Sequence, residues 1–136
     1  MTAEIHVERP REEVARYAMD WRNDTEWIGA LSRVELVSEE PLQVRRVAGF
    51  LGKRIEYVNE VVELVPARRL AMRSVKAPFP MTVVYEFEDA GDGTLMRIRT
   101  SGDATGFYRV AGPLLARAVR RGVESDLARL KRRLED

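Results

Sequence analysis

Cysteine is missing from this 136-residue chain, and histidine occurs once, at His6. The first absence removes disulfides, thiolate metal sites and cysteine nucleophiles. The second leaves no histidine pair for a zinc centre, and a serine–histidine–aspartate triad would have to use His6 itself. No run approaches the roughly 20 apolar residues of a membrane-spanning helix. The opening MTAEIHVERP carries early acids and no apolar core, so no signal peptide is expected and the cytoplasm is the expected location. An excess of one charge is missing too: 23 Lys and Arg face 22 Asp and Glu, a net charge of +1. That balance gives no global attraction to nucleic acid.

What is present describes a globular chain. Apolar residues make up 45% and charged residues 33%, which separates the sequence from disordered chains. The length suits one domain over residues 1–136, with a single core. No repeat or linker divides it. Residues 3–8 alternate, placing Ile5 and Val7 on one face and Glu4, His6 and Glu8 on the other. Pro10 suits the first turn of a helix, with Glu12 and Glu13 placed to suit its dipole. Val14, Tyr17 and Ala18 form its apolar stripe, and residues 20–30 read as a second short helix carrying Trp21, Trp27 and Ile28.

From residue 32 to about 103 the period is mostly two. Six strands are read here: Arg33–Ser38, Gln43–Leu51, Arg54–Leu64, a strand around Leu70 and Met72, one from Met81 to Phe87, and one from Thr94 to Thr100. Gly52-Lys53, Pro66-Ala67 and residues 89–93 (DAGDG) mark turns, and Phe79 lies in a loop between Pro78 and Pro80. With the first strand these make seven, and the short connections favour antiparallel neighbours. The last third is helical: Leu115, Val119, Val123, Leu127, Leu130 and Leu134 recur at three- and four-residue spacing. Pro113 is read as a kink in a helix that begins near Phe107.

This order of elements resembles the helix-grip fold of the START and Bet v 1-like superfamily, and more narrowly its bacterial polyketide cyclase/dehydrase and lipid-transport group. Four segments carry the resemblance. ERPREEVARYAMDWRNDTEWIGA resembles the opening, in which a strand leads to a helix, an Asp and a second-helix Trp. RIEYVNEVVELVPARRLAMRSV resembles the long strand with its Pro turn and Arg-Leu restart. YEFEDAGDGTLMRIRT resembles a Tyr-x-Phe strand with an acidic-glycine turn, and LARLKRRLE resembles the helix end. The resemblance implies an α+β architecture: a seven-stranded curved antiparallel sheet around a long C-terminal helix, with two short helices after strand 1. It also implies a hydrophobic ligand in a cavity between sheet and helix.

Candidate cavity residues follow from that implication. Trp27 matches the second-helix Trp that borders the cavity mouth in this family, with Trp21 a weaker candidate. Met72, Met81 and Tyr85 lie on inward stripes, where methionine adapts to varied ligands and a buried phenol needs a hydrogen-bond partner. Phe50, Tyr57, Phe79, Leu115 and Val119 complete the candidate set. No catalytic residue, metal or cofactor is expected. His6 belongs on an outer face, and Glu56, Glu60 and Glu63 are expected to face solvent opposite arginines such as Arg45, Arg46, Arg73 and Arg97.

Three functions are compatible with these residues. The preferred one is a non-catalytic binding module for a lipid, polyketide or isoprenoid-like molecule. The second is an aromatase/cyclase or dehydratase, with Tyr85 and an inward Arg or Glu as first suspects. The third is an interaction protein acting on quinone carriers or ribosomes through the basic helix, where residues 107–133 hold eight Lys or Arg against Glu124 and Asp126. The expected partner is a hydrophobic small molecule rather than nucleic acid. Membrane contact is not indicated, and oligomeric state is left open.

Overall fold

The N-terminal alternation forms β1 (Thr2–Val7), with Ala3 and Val7 buried and Thr2, Glu4 and His6 exposed. The computed structural model describes residues 1–50, 52–77, 80–102 and 105–136, with the backbone alone for Phe50 and residues 105–115. Pro10 precedes α1 (Arg11–Met19), and its carbonyl accepts the Val14 N–H at 3.1 Å. Val14, Ala15 and Ala18 form the buried face of α1. Asp20 accepts the Arg22 N–H and starts a single 3₁₀ turn, Trp21–Asn23, which leads into α2 (Asp24–Trp27).

Six strands follow: β2 (Leu31–Glu39), β3 (Leu42–Phe50), β4 (Lys53–Val65), β5 (Arg69–Lys76), β6 (Met81–Ala90) and β7 (Gly93–Gly102). Every pairing is antiparallel, and the sheet order is β1-β7-β6-β5-β4-β3-β2. β1 therefore lies beside the last strand, and the α1–α2 segment carries the chain across one face from edge to edge. Gly52 and Gly91 sit at φ +78° and +62°, a left-handed conformation that glycine adopts without the penalty of a Cβ.

The last element, α3 (Thr105–Glu135), is 31 residues long, so Pro113 falls inside it and does not open it. At 1.5 Å per residue it spans roughly 46 Å. Leu127 and Leu130 are fully buried and join Val7, Val14, Trp27, Phe87 and Met96 in the core. Polar contacts fix its C-terminal end. Glu135 Oε2 accepts the Glu8 N–H at 2.8 Å, Arg9 donates to the Glu135 carbonyl at 2.9 Å, and Lys131 donates to the His6 carbonyl at 2.7 Å.

The β6–β7 hairpin packs tightly on β1. A Cβ added at Gly93 would run into the Val7 carbonyl oxygen and lie 2.9 Å from the His6 ring. The backbone oxygen cannot move without breaking the β1–β7 ladder. Gly93→Ala is therefore expected to destabilise the fold by about 1–3 kcal/mol, the usual range for overpacking, as measured by urea denaturation.

The outer sheet face is ionic. Arg45 pairs with Glu56 at 3.1 Å, Arg73 with Glu60 at 3.1 Å, Arg69 with Glu63 and Glu86, and Arg97 with Glu4 at 3.0 Å. These are solvent-screened pairs, worth about 0–1 kcal/mol each. Arg46, expected on this face, is absent from it.

Candidate functional site

Arg46 lies on the inner face because it is two residues from Val44, and side chains two apart on a strand share a face. Both are buried, at 4% and 3% exposure. Across the ladder, Arg46 stands opposite Tyr57 of β4, and Val44 opposite Asn59. The expectation that Arg46 serves as a solvent-facing cross-strand cation is thus corrected. Its partner comes from a helix: Arg46 Nη1 reaches Asp24 Oδ2 at 2.7 Å, and Nη2 approaches Met72 Sδ at 3.9 Å. Asp24, the first residue of α2, is 2% exposed.

α3 holds α2 in place for this contact. Asp126 accepts the Gly29 N–H at 2.9 Å, and Arg129 donates to the Trp27 carbonyl at 2.9 Å. Burial raises the pKa of Asp126, and the Gly29 N–H and the Arg129 guanidinium act against that rise. Trp27, 1% exposed, packs edge-to-face on Tyr85, with ring centroids 5.8 Å apart and planes at 61°. Such a pair adds about 0.5–1.5 kcal/mol beyond area burial. α3 thus sets Trp27, Trp27 sets Tyr85, and the same short helix delivers Asp24 to Arg46.

The electrostatics reflect burial of a charge pair. Loss of water pushes the Asp24 carboxyl up to about 6, against the pull of Arg46. Burial pulls the Arg46 guanidinium down, but Asp24, Tyr85 and Tyr57 together more than offset this, so its pKa lies above the ordinary arginine value. Burial also raises Tyr85 and Tyr57, with Arg46 opposing in both cases. At neutral pH the pair is ionised and its net charge is zero.

Hydrogen bonding leaves a remainder. Among the described residues, Asp24 Oδ1, Arg46 Nε and Trp27 Nε1 are buried without a hydrogen-bond partner. Leaving a buried polar atom unpaired costs about 1–3 kcal/mol. Asp24 and Arg46 both line a pocket of about 60 Å³, together with Asn59, Met72 and Tyr85. Its remaining wall is largely apolar and includes Met19, Trp21, Leu42 and Leu64, the last 57% exposed. Small-molecule sites usually enclose about 300–1,000 Å³, so the recess formed by the described residues is smaller than a typical whole-ligand site.

The sequence candidates are placed unevenly around this recess. Met72 and Tyr85 line it. Trp21 is on its wall, whereas Trp27 lies behind Tyr85. Tyr57 is half-buried opposite Arg46, and Met81 and Val119 are half-buried away from the recess wall. The side chains of Phe50, Phe79 and Leu115 lie outside the described residues. The described wall comes from the sheet and the α1–α2 segment, with no contribution from the described part of α3. Sequence reasoning missed Asp24, Arg46 and Asn59. The available signals were the two-residue step from Val44 to Arg46 and the three-residue step from Asp24 to Trp27, which puts both on one helical face.

The basic helix presents a different picture. Arg117, Arg120 and Arg121 are exposed, and Arg120 donates to the Thr2 carbonyl at 3.3 Å. Arg129, Lys131 and Arg133 bind groups of this same chain. Four of the helix's cations, Arg120, Arg129, Lys131 and Arg133, therefore fasten it to the body. Among the described residues, no cluster of three or more His, Cys, Asp or Glu could hold a metal, and no helix is long and apolar enough to cross a membrane.

Seven antiparallel strands against one long C-terminal helix, with two short helices after β1, define a helix-grip protein of the START and Bet v 1-like kind. The chain belongs to the polyketide cyclase / dehydrase and lipid transport family, whose model matches residues 1–135. Among solved structures it is similar to a protein of Thermus thermophilus, with 23% identity over 98% of this chain and 94% of that one, at a TM-score of 0.82. It is also similar to the Zhui aromatase/cyclase of Streptomyces sp. R1128 (18% identity, 99% and 92% coverage, TM-score 0.81). A START superfamily protein of Mycobacterium smegmatis shares 14% identity over 99% and 96% of the two chains, at a TM-score of 0.82. At these identities the likeness shows the fold. No curated protein matches the chain.

Proposed function

We propose that this protein holds a hydrophobic or amphipathic small molecule, such as a lipid, polyketide or isoprenoid-like compound, with its polar end in the recess at Asp24 and Arg46. The observation that carries this reading is the set of partnerless buried atoms, Asp24 Oδ1 and Arg46 Nε, on two residues that line one pocket. A ligand oxygen there would satisfy groups that otherwise cost about 1–3 kcal/mol each. The apolar wall at Met19, Trp21, Leu42 and Leu64 would cover the first carbons of the ligand. Membership of a family described by both cyclisation and lipid transport supports the same reading.

Native mass spectrometry after gentle purification, paired with a thermal-shift screen of lipid extracts and polyketide mimics, tests it. Retained ligand mass or a stabilised melting transition is expected. No added mass and no shift from any hydrophobic compound would refute it.

A second reading, an aromatase/cyclase or dehydratase, is favoured by one observation: Asp24, with its carboxyl pushed up to about 6, shares the recess with Arg46 and Tyr85. General acids and bases work best with a pKa near the operating pH. Turnover of a polyketide mimic that disappears in Asp24→Asn, while its binding persists, would select this reading over simple carriage.

A further inference from the structure

The charge state of the recess restricts the chemistry of what enters it. We infer that the site selects an uncharged oxygen group that both donates and accepts hydrogen bonds, such as an enol, a phenol or a hydroxyketone, and rejects a carboxylate or phosphate. This rests on the ligand-holding role proposed above.

Arg46 supplies the positive charge of the recess. A buried guanidinium facing a pocket ordinarily marks a site for an anion, because it is planar, permanently charged and rich in donors. Here that charge is already met inside the protein, since Asp24 Oδ2 lies 2.7 Å from Nη1. Both side chains are almost wholly withdrawn from water, at 4% and 3% exposure. A carboxylate or phosphate brought into the recess would lose its hydration and meet a neutral pair, with Asp24 repelling it at close range. Burying an ion without a free counter-charge is heavily penalised.

The partnerless atoms point to the same ligand chemistry. Arg46 Nε carries a proton to donate, and Asp24 Oδ1 carries lone pairs to accept. A carboxylate could take the first proton but has none to offer the second atom. An aliphatic ketone has the same defect. A hydroxyl-bearing group can accept from Arg46 and donate to Asp24. Among the described residues, the rest of the wall adds no cation: it supplies Asn59, Tyr85, the Met72 thioether and apolar side chains. Among the described residues, the charge besides Arg46 that acts on Asp24 is Asp20, itself negative and already paired with Arg22 at 2.8 Å.

A matched pair of probes tests this. 2-Naphthol and 2-naphthoate share one ring system, and at neutral pH the first is uncharged and the second anionic. The ring would lie on the apolar wall at Trp21, Leu42 and Leu64, and the head group would enter the recess. Quenching of tryptophan fluorescence, checked by calorimetry, gives both affinities for the full chain. The wild-type protein is expected to bind 2-naphthol about tenfold or more tightly than 2-naphthoate, as one buried, imperfectly paired charge would produce. Asp24→Asn leaves Arg46 without its counter-charge, so in that variant the preference is expected to reverse. Wild-type binding of 2-naphthoate as tight as, or tighter than, 2-naphthol would overturn the inference and leave the carrier reading standing. Failure of both probes, together with an absence of any hydrophobic ligand in the mass-spectrometric screen, would remove the carrier reading itself. The wild-type comparison decides the inference even if Asp24→Asn does not fold.

Discussion

Replacing Asp24 by Ala is expected to cost about 3–5 kcal/mol of folding stability, the range for removing one partner of a buried ion pair. The loss arises less from the missing attraction than from what remains. Arg46 stays 4% exposed, with no carboxylate at its Nη1. Replacing both members by apolar residues, as in Asp24→Leu with Arg46→Met, removes the stranded charge and is expected to be much milder than the single change. Urea denaturation of the two single variants and the double variant gives the coupling directly, and additive losses would contradict a paired role.

The same pair leaves a signature in pH. The Asp24 carboxyl is raised from 3.8 to about 6 in the folded protein. The folded state therefore holds this proton more tightly than the unfolded state. The stabilisation from Asp24 is complete below about pH 4 and is lost as pH rises through about 6, amounting to about 3 kcal/mol at 1.36 kcal/mol per unit. Other carboxylates run the opposite way, Asp20 among them, lowered by its hydrogen bond to Arg22. The group is isolated by subtracting the stability of Asp24→Asn from that of the wild type at each pH. The difference is expected to fall between about pH 4 and 6, and a flat or rising difference would contradict it.

The second large effect is at Trp27. Trp27→Ala removes a side chain that is 1% exposed and leaves a void behind Tyr85, at an expected cost of about 3–5 kcal/mol. Trp27→Phe keeps an aromatic edge against Tyr85 and eliminates the partnerless Nε1, so its loss should be well under half of that. The alanine variant is also expected to weaken ligand binding, because Tyr85 forms part of the recess wall and loses the ring that positions it. Thermal melts with and without 2-naphthol read both effects. A Trp27→Ala protein as stable as the wild type would mean that α2 is not fixed through this side chain.

The fold is legible in the sequence because its signals are local and periodic. Alternation at Ala3, Ile5 and Val7, the DAGDG turn and the heptad-like spacing of Leu127, Leu130 and Leu134 each specify one element and one face. Glu56, Glu60 and Glu63 can be assigned to ionic pairs because arginines recur on neighbouring strands. The candidate site is only half legible. Met72 and Tyr85 lie on clear inward stripes and reach the recess. The charged pair is hidden, since Asp24 and Arg46 are 22 positions apart and each looks like a surface residue until β3 is aligned with Tyr57 and Asn59 of β4. β3 also places two arginines in succession, Arg45 outward and Arg46 inward, so its composition does not reveal its facing. Resemblance ranks Trp27 above Trp21, whereas the geometry puts Trp21 on the wall and Trp27 one layer behind.

A ligand is predicted to enter at the Asp24–Arg46 recess, and the chain's two tryptophans allow this to be tested directly. A nitrogen–proton correlation spectrum contains two indole signals, from Trp21 on the recess wall and from Trp27 behind Tyr85. Titration with 2-naphthol is expected to shift both, Trp21 more strongly, with accompanying changes at the backbone amides of Arg46, Asn59 and Met72. Shifts confined to the exposed face of α3 around Arg117, Arg120 and Arg121, with both indoles unmoved, would contradict it.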